Sequence, residues 1–247
     1  MSLSDRYLLV SHGSRDRRPG EELQRLAWLV SEKIPEAEVG TAVLECHPQP
    51  LHRQLLDFLD RSPFSGGVVY VVPLFLLAGV HVKDDIPEEI ALARRQLGGN
   101  GSIELLPHIG SSPDMRSLLY RRMATWEAVE AWVLMSHGSR RPGGNEGVNG
   151  MARQLQQRLE MSVSPAYWSV SPDLATQIAR LSETGVRSIG IFPYFLFSGG
   201  LTDAIAENVE QLRDRFDEMQ LFLTPPIGTT PDLAELVLQQ ILLPSRF

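Results

Sequence analysis

Cysteine is nearly absent: Cys46 is the only one in 247 residues. No internal disulfide can form, and no cysteine-built zinc ribbon or iron–sulfur cluster is encoded. Positive charge is in deficit. Lys+Arg is 23 against Asp+Glu 30, for a formal net charge of -7, which excludes a chain that holds nucleic acid mainly by its global charge. Long hydrophobic runs are missing. The longest apolar stretch, residues 67–80, contains Pro73 and falls short of the roughly 18 residues of a membrane-spanning helix. Residues 1–6 are polar, and the apolar run at 7–10 is too short for a signal-peptide core. The expectation is a cytoplasmic protein with no membrane and no nucleic acid among its partners. Nucleotide signatures are missing too. No Gly-x-Gly-x-x-Gly follows a predicted strand, since Gly98-Gly99-Asn100-Gly101 ends a helix, and no Walker motif is present. Ser14 and Ser139 lack the Gly-x-Ser-x-Gly elbow of a serine hydrolase.

What is present can fold. Hydrophobic residues make up 43% and charged residues 21%, a balance that buries a core and argues against disorder. The chain also repeats itself. Ser11-His12-Gly13-Ser14-Arg15 returns as Ser136-His137-Gly138-Ser139-Arg140, 125 residues later. Pro73-Leu74-Phe75-Leu76-Leu77 returns as Pro193-Tyr194-Phe195-Leu196-Phe197 after 120, and Ile109-Gly110-Ser111-Ser112-Pro113-Asp114 as Ile227-Gly228-Thr229-Thr230-Pro231-Asp232 after 118. Three matches in one order at a nearly constant offset indicate two copies of a unit of about 120 residues. We place the domains at 1–126 and 127–247.

Each copy alternates strand and helix. Residues 7–10, 39–44, 67–72 and 103–106 read as strands. Leu23, Leu26, Ala27, Val30 and Ile34 lie at helical spacing before Pro35. Leu51, Leu55, Phe58 and Leu59 mark a second helix, and Ile86, Ile90, Ala93 and Leu97 a third, ended by Gly98-Gly99. Pro113-Asp114 opens a fourth that reaches about residue 128, with Ser112 as its cap. The fold class is α/β: two tandem flavodoxin-like domains, each a four-stranded parallel sheet with helices on both faces, related by pseudo-twofold duplication. We expect strand order 2-1-3-4 in each. Ligands of such sheets sit beyond the carboxyl ends of the strands where the order reverses, here between strands 1 and 3.

His12 follows strand 1, His81 lies in the loop after strand 3, and Glu45 ends strand 2. A single strand-end histidine is more often structural than functional. Three such groups at the ends of neighbouring strands point to a metal site, and two imidazoles with one carboxylate suit borderline divalent ions such as Fe, Co, Ni or Zn. The copies differ here. His137 matches His12, but Leu201 stands opposite His81 and Trp168 opposite Glu45. One competent site, in the first copy, is expected, with the second copy covering it and His137 within reach of a ligand. His47, His52 and His108 rank lower.

The loop after strand 3 is apolar where loops are usually polar: Phe75, Leu76, Leu77, Ala78 and Val80 sit together. Part of this is core packing, and part suits a wall for a large flat ligand, with Gly79 letting backbone approach closely. Ser11, Ser14, Arg15 and Lys83, with the helix N-termini near Glu21 and Asp84, would meet an acidic rim.

The pattern Leu9-Val10-Ser11-His12-Gly13-Ser14-Arg15, followed by the run from Pro73 to Pro87 that holds Gly79-Val80-His81-Val82-Lys83-Asp84-Asp85, resembles the class II tetrapyrrole chelatases of the sirohydrochlorin type. Pro193-Tyr194-Phe195-Leu196-Phe197-Ser198-Gly199-Gly200-Leu201 is similar to the degenerate copy of their long, two-domain members. The resemblance spans essentially the whole chain and implies a chelatase-like fold. It also implies nucleotide-independent insertion of Co2+ or Fe2+ into sirohydrochlorin, towards cobalamin or siroheme, with Ni2+ a further candidate metal. Under it, His12 and His81 are the metal-handling and catalytic histidines, and Glu45 is the carboxylate beside them. Imidazole must be neutral to coordinate, so the rate is expected to fall below about pH 6.5. Duplication within one chain takes the place of a dimer, so a monomer is expected.

Two other readings stay open. The same histidine pair would serve a non-enzymatic metal or tetrapyrrole carrier. A phosphoryl-transfer enzyme of the histidine phosphatase kind also places His-Gly after strand 1. It needs an Arg before that His, however, and this chain has Ser11 and Ser136.

Overall fold

The computed structural model describes residues 6–61, 68–98 and 102–242. Two four-stranded parallel sheets form. In the first, β1 (Arg6–Ser11), β2 (Glu38–Val43), β3 (Val68–Pro73) and β4 (Ser102–Leu105) take the order β2-β1-β3-β4. In the second, β5 (Ala131–Ser136), β6 (Ser162–Tyr167), β7 (Ser188–Pro193) and β8 (Gln220–Leu223) take the order β6-β5-β7-β8. The expected order is therefore present twice.

Both central strands are apolar on both faces because helices cover both. Leu8 and Val10 of β1 join one cluster with Val69 and Val71 of β3. Leu51 and Leu55 of α2 (Leu51–Arg61) and Ile86, Ile90 and Ala93 of α3 (Ile86–Leu97) complete it. Tyr7 and Leu9 alternate to the opposite face and are equally buried. There α1 (Arg18–Ser31) buries Leu23, Leu26, Ala27 and Val30. The second sheet follows the same plan. Met135, Ile189 and Ile191 pack with Leu174 and Ile178 of α6 (Leu174–Glu183) and with Ile205, Val209 and Leu212 of α7 (Gly200–Arg215). Helix α5 (Glu146–Leu159) buries Val148, Ala152 and Leu155.

The last helix of each repeat departs from the expected division at 126/127. One compact unit comprises residues 1–112 and 229–247, the other 113–228. Helix α8 (Pro231–Leu242), which ends the second repeat, packs on α1 in the first unit. There Gln240 donates to the carbonyl of Pro107, and Thr229 Oγ1 donates to that of Glu22 at 2.8 Å. Helix α4 (Pro113–Ala124), which ends the first repeat, packs on α5 in the second unit, with the Arg158 guanidinium 4.2 Å above the Tyr120 ring.

Two helices stop early. Helix α1 ends at Ser31 and passes through turns to the buried Ile34. Helix α4 ends at Ala124, where Thr125 Oγ1 donates back to Arg122 and Val129 turns inward. The predicted strand start at Gly67 and the helix stop at Gly99 lie outside the described residues.

Candidate metal-handling site

The order β2-β1-β3 brings three chain-distant segments to one edge. Past the last paired residues, Ser11 and Val43, the β1–β2 ladder runs on. Leu44 N–H donates to Ser11 O at 3.0 Å and Glu45 N–H to His12 O at 2.8 Å, which sets Glu45 beside His12. Gly13 then turns the chain with φ +93, and a Cβ there would lie 2.0 Å from the carbonyl oxygen of Glu45. On the other side of β1, Leu74 N–H donates to Val10 O at 2.7 Å. The chain after β3 reaches a π turn at His81–Asp85 that leads into α3.

The three side chains meet. One ligand atom from each of His12, Glu45 and His81 lies within 4.8 Å of the others, and this is the one such group of His, Cys, Asp or Glu among the described residues. One Glu45 oxygen stands 4.0 Å from His12 Nε2 and the other 4.0 Å from His81 Nε2. The two imidazoles lie edge to face, their centroids 4.7 Å apart and their planes at 82°. Metal–ligand bonds of about 2.0–2.2 Å would draw these groups inward by about an ångström, and His12 and Glu45 are exposed enough to move.

The Nδ1 atoms are already committed. His12 Nδ1 donates to Gly13 O at 3.0 Å, and His81 Nδ1 donates to Asp85 Oδ2 at 2.6 Å. Carbonyl and carboxylate oxygens only accept, so each neutral ring carries its hydrogen on Nδ1 and keeps its lone pair on Nε2. Both lone pairs are then available on the Glu45 side. Three such donors would leave open coordination positions on an ion, the arrangement of a reactive rather than a structural metal site. Asp85 was not singled out in the sequence. Its signal is the four-residue spacing from His81.

Phe75 stands beside both imidazoles, with centroids 6.4 Å from His12 and 6.1 Å from His81. Gly110 anchors its loop: its N–H donates to Phe75 O at 2.9 Å, and a Cβ there would fall 2.0 Å from the Leu76 carbonyl oxygen. Leu76 and Val80 are half-buried. At Gly79 a Cβ would meet nothing within 4 Å, so the chain itself does not require glycine there. Ser11 is buried, and its carbonyl belongs to the ladder. Ser14 Oγ accepts from Asp16 N–H at 3.0 Å and so shapes the loop into α1. Arg15 and Lys83 are exposed.

In the second unit His137 repeats the posture of His12, with Nδ1 donating to Gly138 O at 2.9 Å. Leu201, the second residue of α7, stands opposite His81 as expected, since Gly199 O accepts from Asp203 N–H as Gly79 O does from Lys83 N–H. The expected match of Trp168 to Glu45 is off by one residue. Trp168 N–H donates to Ser136 O as Leu44 does to Ser11, and Ser169 N–H donates to His137 O as Glu45 does to His12. Ser169 therefore stands opposite Glu45. The cause is register: Ser136 pairs Tyr167 where Ser11 pairs Val43.

Two imidazoles and a carboxylate at the strand ends of a duplicated, doubly wound α/β chain define a chelatase-like protein. The chain belongs to the CbiX family, which matches residues 6–126 and again 131–242. It is 27% identical to the sirohydrochlorin ferrochelatase of Bacillus subtilis (strain 168), over 95% of this chain and 89% of that one. It is 25% identical to the sirohydrochlorin cobaltochelatase of Priestia megaterium, over 92% and 75%. The crystal structure of the sirohydrochlorin chelatase SirB from Bacillus subtilis subspecies spizizenii in complex with cobalt superposes with a TM-score of 0.75 at 25% identity, covering 98% of this chain and 96% of that one.

Proposed function

We propose that this chain inserts Co2+ or Fe2+ into sirohydrochlorin without a nucleotide, for cobalamin or siroheme synthesis, and that the first-repeat cluster performs the step. The observation that carries this reading is the convergence of His12 Nε2, His81 Nε2 and the Glu45 carboxylate. Similarity over 95%, 96% and 92% of this chain to two sirohydrochlorin ferrochelatases and one sirohydrochlorin cobaltochelatase supports the substrate.

The chemistry fits the groups. Metallation replaces two pyrrolic N–H protons by one divalent ion, so two protons must leave. Neutral His12 and His81 offer the incoming ion their Nε2 lone pairs; as the ion moves to the ring nitrogens, one of the histidines accepts one pyrrolic proton and the other proton passes to solvent water. Glu45 balances the charge of the ion and of the imidazolium that forms. Phe75, Leu76 and Val80 supply the apolar wall against which the macrocycle lies, with Gly79 leaving room for it. Arg15, Lys83 and the Ser14 hydroxyl, all exposed, serve the peripheral carboxylates, which the buried Ser11 does not reach. The ion is substrate and leaves with the product.

Multiple-turnover metallation, followed by the absorption spectrum of the tetrapyrrole with Co2+, Fe2+ and Ni2+ side by side, tests this function. Product in large excess over protein supports an enzyme. A single equivalent of metal or tetrapyrrole retained per chain would identify a carrier. We read the chain as a cytoplasmic monomer. Duplication provides two units in one chain, and among the described residues no helix is long and apolar enough to cross a membrane. Light scattering during size-exclusion chromatography tests the monomer: the mass of one chain supports it, and twice that mass contradicts it.

A further inference from the structure

We propose that Asp85 is a positioning residue: its carboxylate on His81 Nδ1 holds the ring in the tautomer and orientation that aim Nε2 at Glu45 and His12. This rests on the metal-handling reading of those three residues.

The contact is 2.6 Å long, and His81 is the partner shown for Asp85. A carboxylate on the far nitrogen fixes a coordinating imidazole and strengthens it as a donor. The backbone around the pair is unusual as well. The two repeats correspond at an offset of 120 at Gly79 and Gly199, whose carbonyls accept from Lys83 and Asp203. They correspond at 119 at Ile86 and Ile205, both fully buried in equivalent clusters. The first repeat thus carries one additional residue in this stretch. It is accommodated by the π turn His81–Asp85, where the second repeat runs straight into α7. Such single-turn bulges are uncommon and concentrate at functional sites. Here the bulge carries His81 at its first position and Asp85 at its last, while Ile86 keeps its place in the core. The repeat that has Leu201 in place of His81 lacks the bulge.

Co2+ binding by the metal-free protein, without tetrapyrrole and followed by cobalt absorption, tests this in wild type, Asp85→Ala, Asp85→Asn, His81→Ala and the double variant His81→Ala/Asp85→Ala. Asp85→Ala is expected to weaken Co2+ binding about 10–100-fold. Asp85→Asn, whose amide oxygen still accepts from Nδ1, should recover part of it. In the metal-free protein the His81 nitrogen shifts should report the Nδ1–H tautomer in wild type and a move towards Nε2–H in Asp85→Ala. The double variant should bind as His81→Ala does. Wild-type affinity and an unchanged tautomer in Asp85→Ala would overturn the inference. So would a double variant weaker than His81→Ala by the full factor seen in the wild-type background. If His81→Ala itself binds Co2+ like wild type, the metal-handling reading fails along with it.

Discussion

Gly13 and Glu45 cannot be separated: a Cβ on Gly13 would sit 2.0 Å from the Glu45 carbonyl oxygen, at a φ of +93 that side-chain-bearing residues rarely adopt. The same turn holds the neighbouring His12 carbonyl, which accepts from Glu45 N–H. The glycine therefore determines the approach of two of the three converging groups. Gly13→Ala is expected to destabilise the protein by about 2 kcal/mol or more and to weaken Co2+ binding even where folded. Denaturant melts and cobalt titration of the same preparation measure the two effects. Unchanged Co2+ affinity in folded Gly13→Ala would show that this turn does not set the site.

Gly79 provides the contrast, because a Cβ there meets nothing within 4 Å. Gly79→Val should leave melting temperature and Co2+ affinity unchanged while raising the KM for sirohydrochlorin several-fold, since the added bulk lies where the macrocycle would rest. Steady-state kinetics with each substrate varied in turn decide this, and an unaltered KM for the tetrapyrrole would remove Gly79 from the binding surface.

His108, three residues beyond the end of β4, gives a pH prediction. Burial pushes its pKa below the usual 6.5, so the unfolded chain takes up a proton that the folded chain resists. Stability from the neutral ring is complete above about pH 6.5 and is lost as pH falls through the lower folded value. The melting temperature of wild type should drop between about pH 8 and about pH 5.5 by more than that of His108→Gln. Parallel melts of the two proteins would contradict it.

Much of this was legible in the amino acids. The apolar runs before His12 and before the Pro73 loop marked the central strands, and the reversal of strand order placed His12, Glu45 and His81 at one edge, 33 and 69 positions along the chain from the first. Other features were not legible. A helix with one apolar stripe covers any complementary sheet face, so nothing in α4 or α8 revealed that each lies in the unit of the other repeat. The pairs Val43-Leu44 and Tyr167-Trp168 are equally apolar, so a one-residue slip put Trp168 where Ser169 belongs. The offset fell from 120 to 118 between two repeated motifs. That fall holds the additional residue of the π turn, but spacing alone does not say that it becomes a bulge carrying His81 and Asp85.

Turnover of sirohydrochlorin with Co2+ by His81→Ala and His137→Ala, compared at equal folded protein, tests the central claim most directly. Loss of metallation by at least about 100-fold in His81→Ala, with His137→Ala close to wild type, is the predicted result. A His137→Ala enzyme more damaged than His81→Ala would contradict the placement of the chemistry in the first repeat.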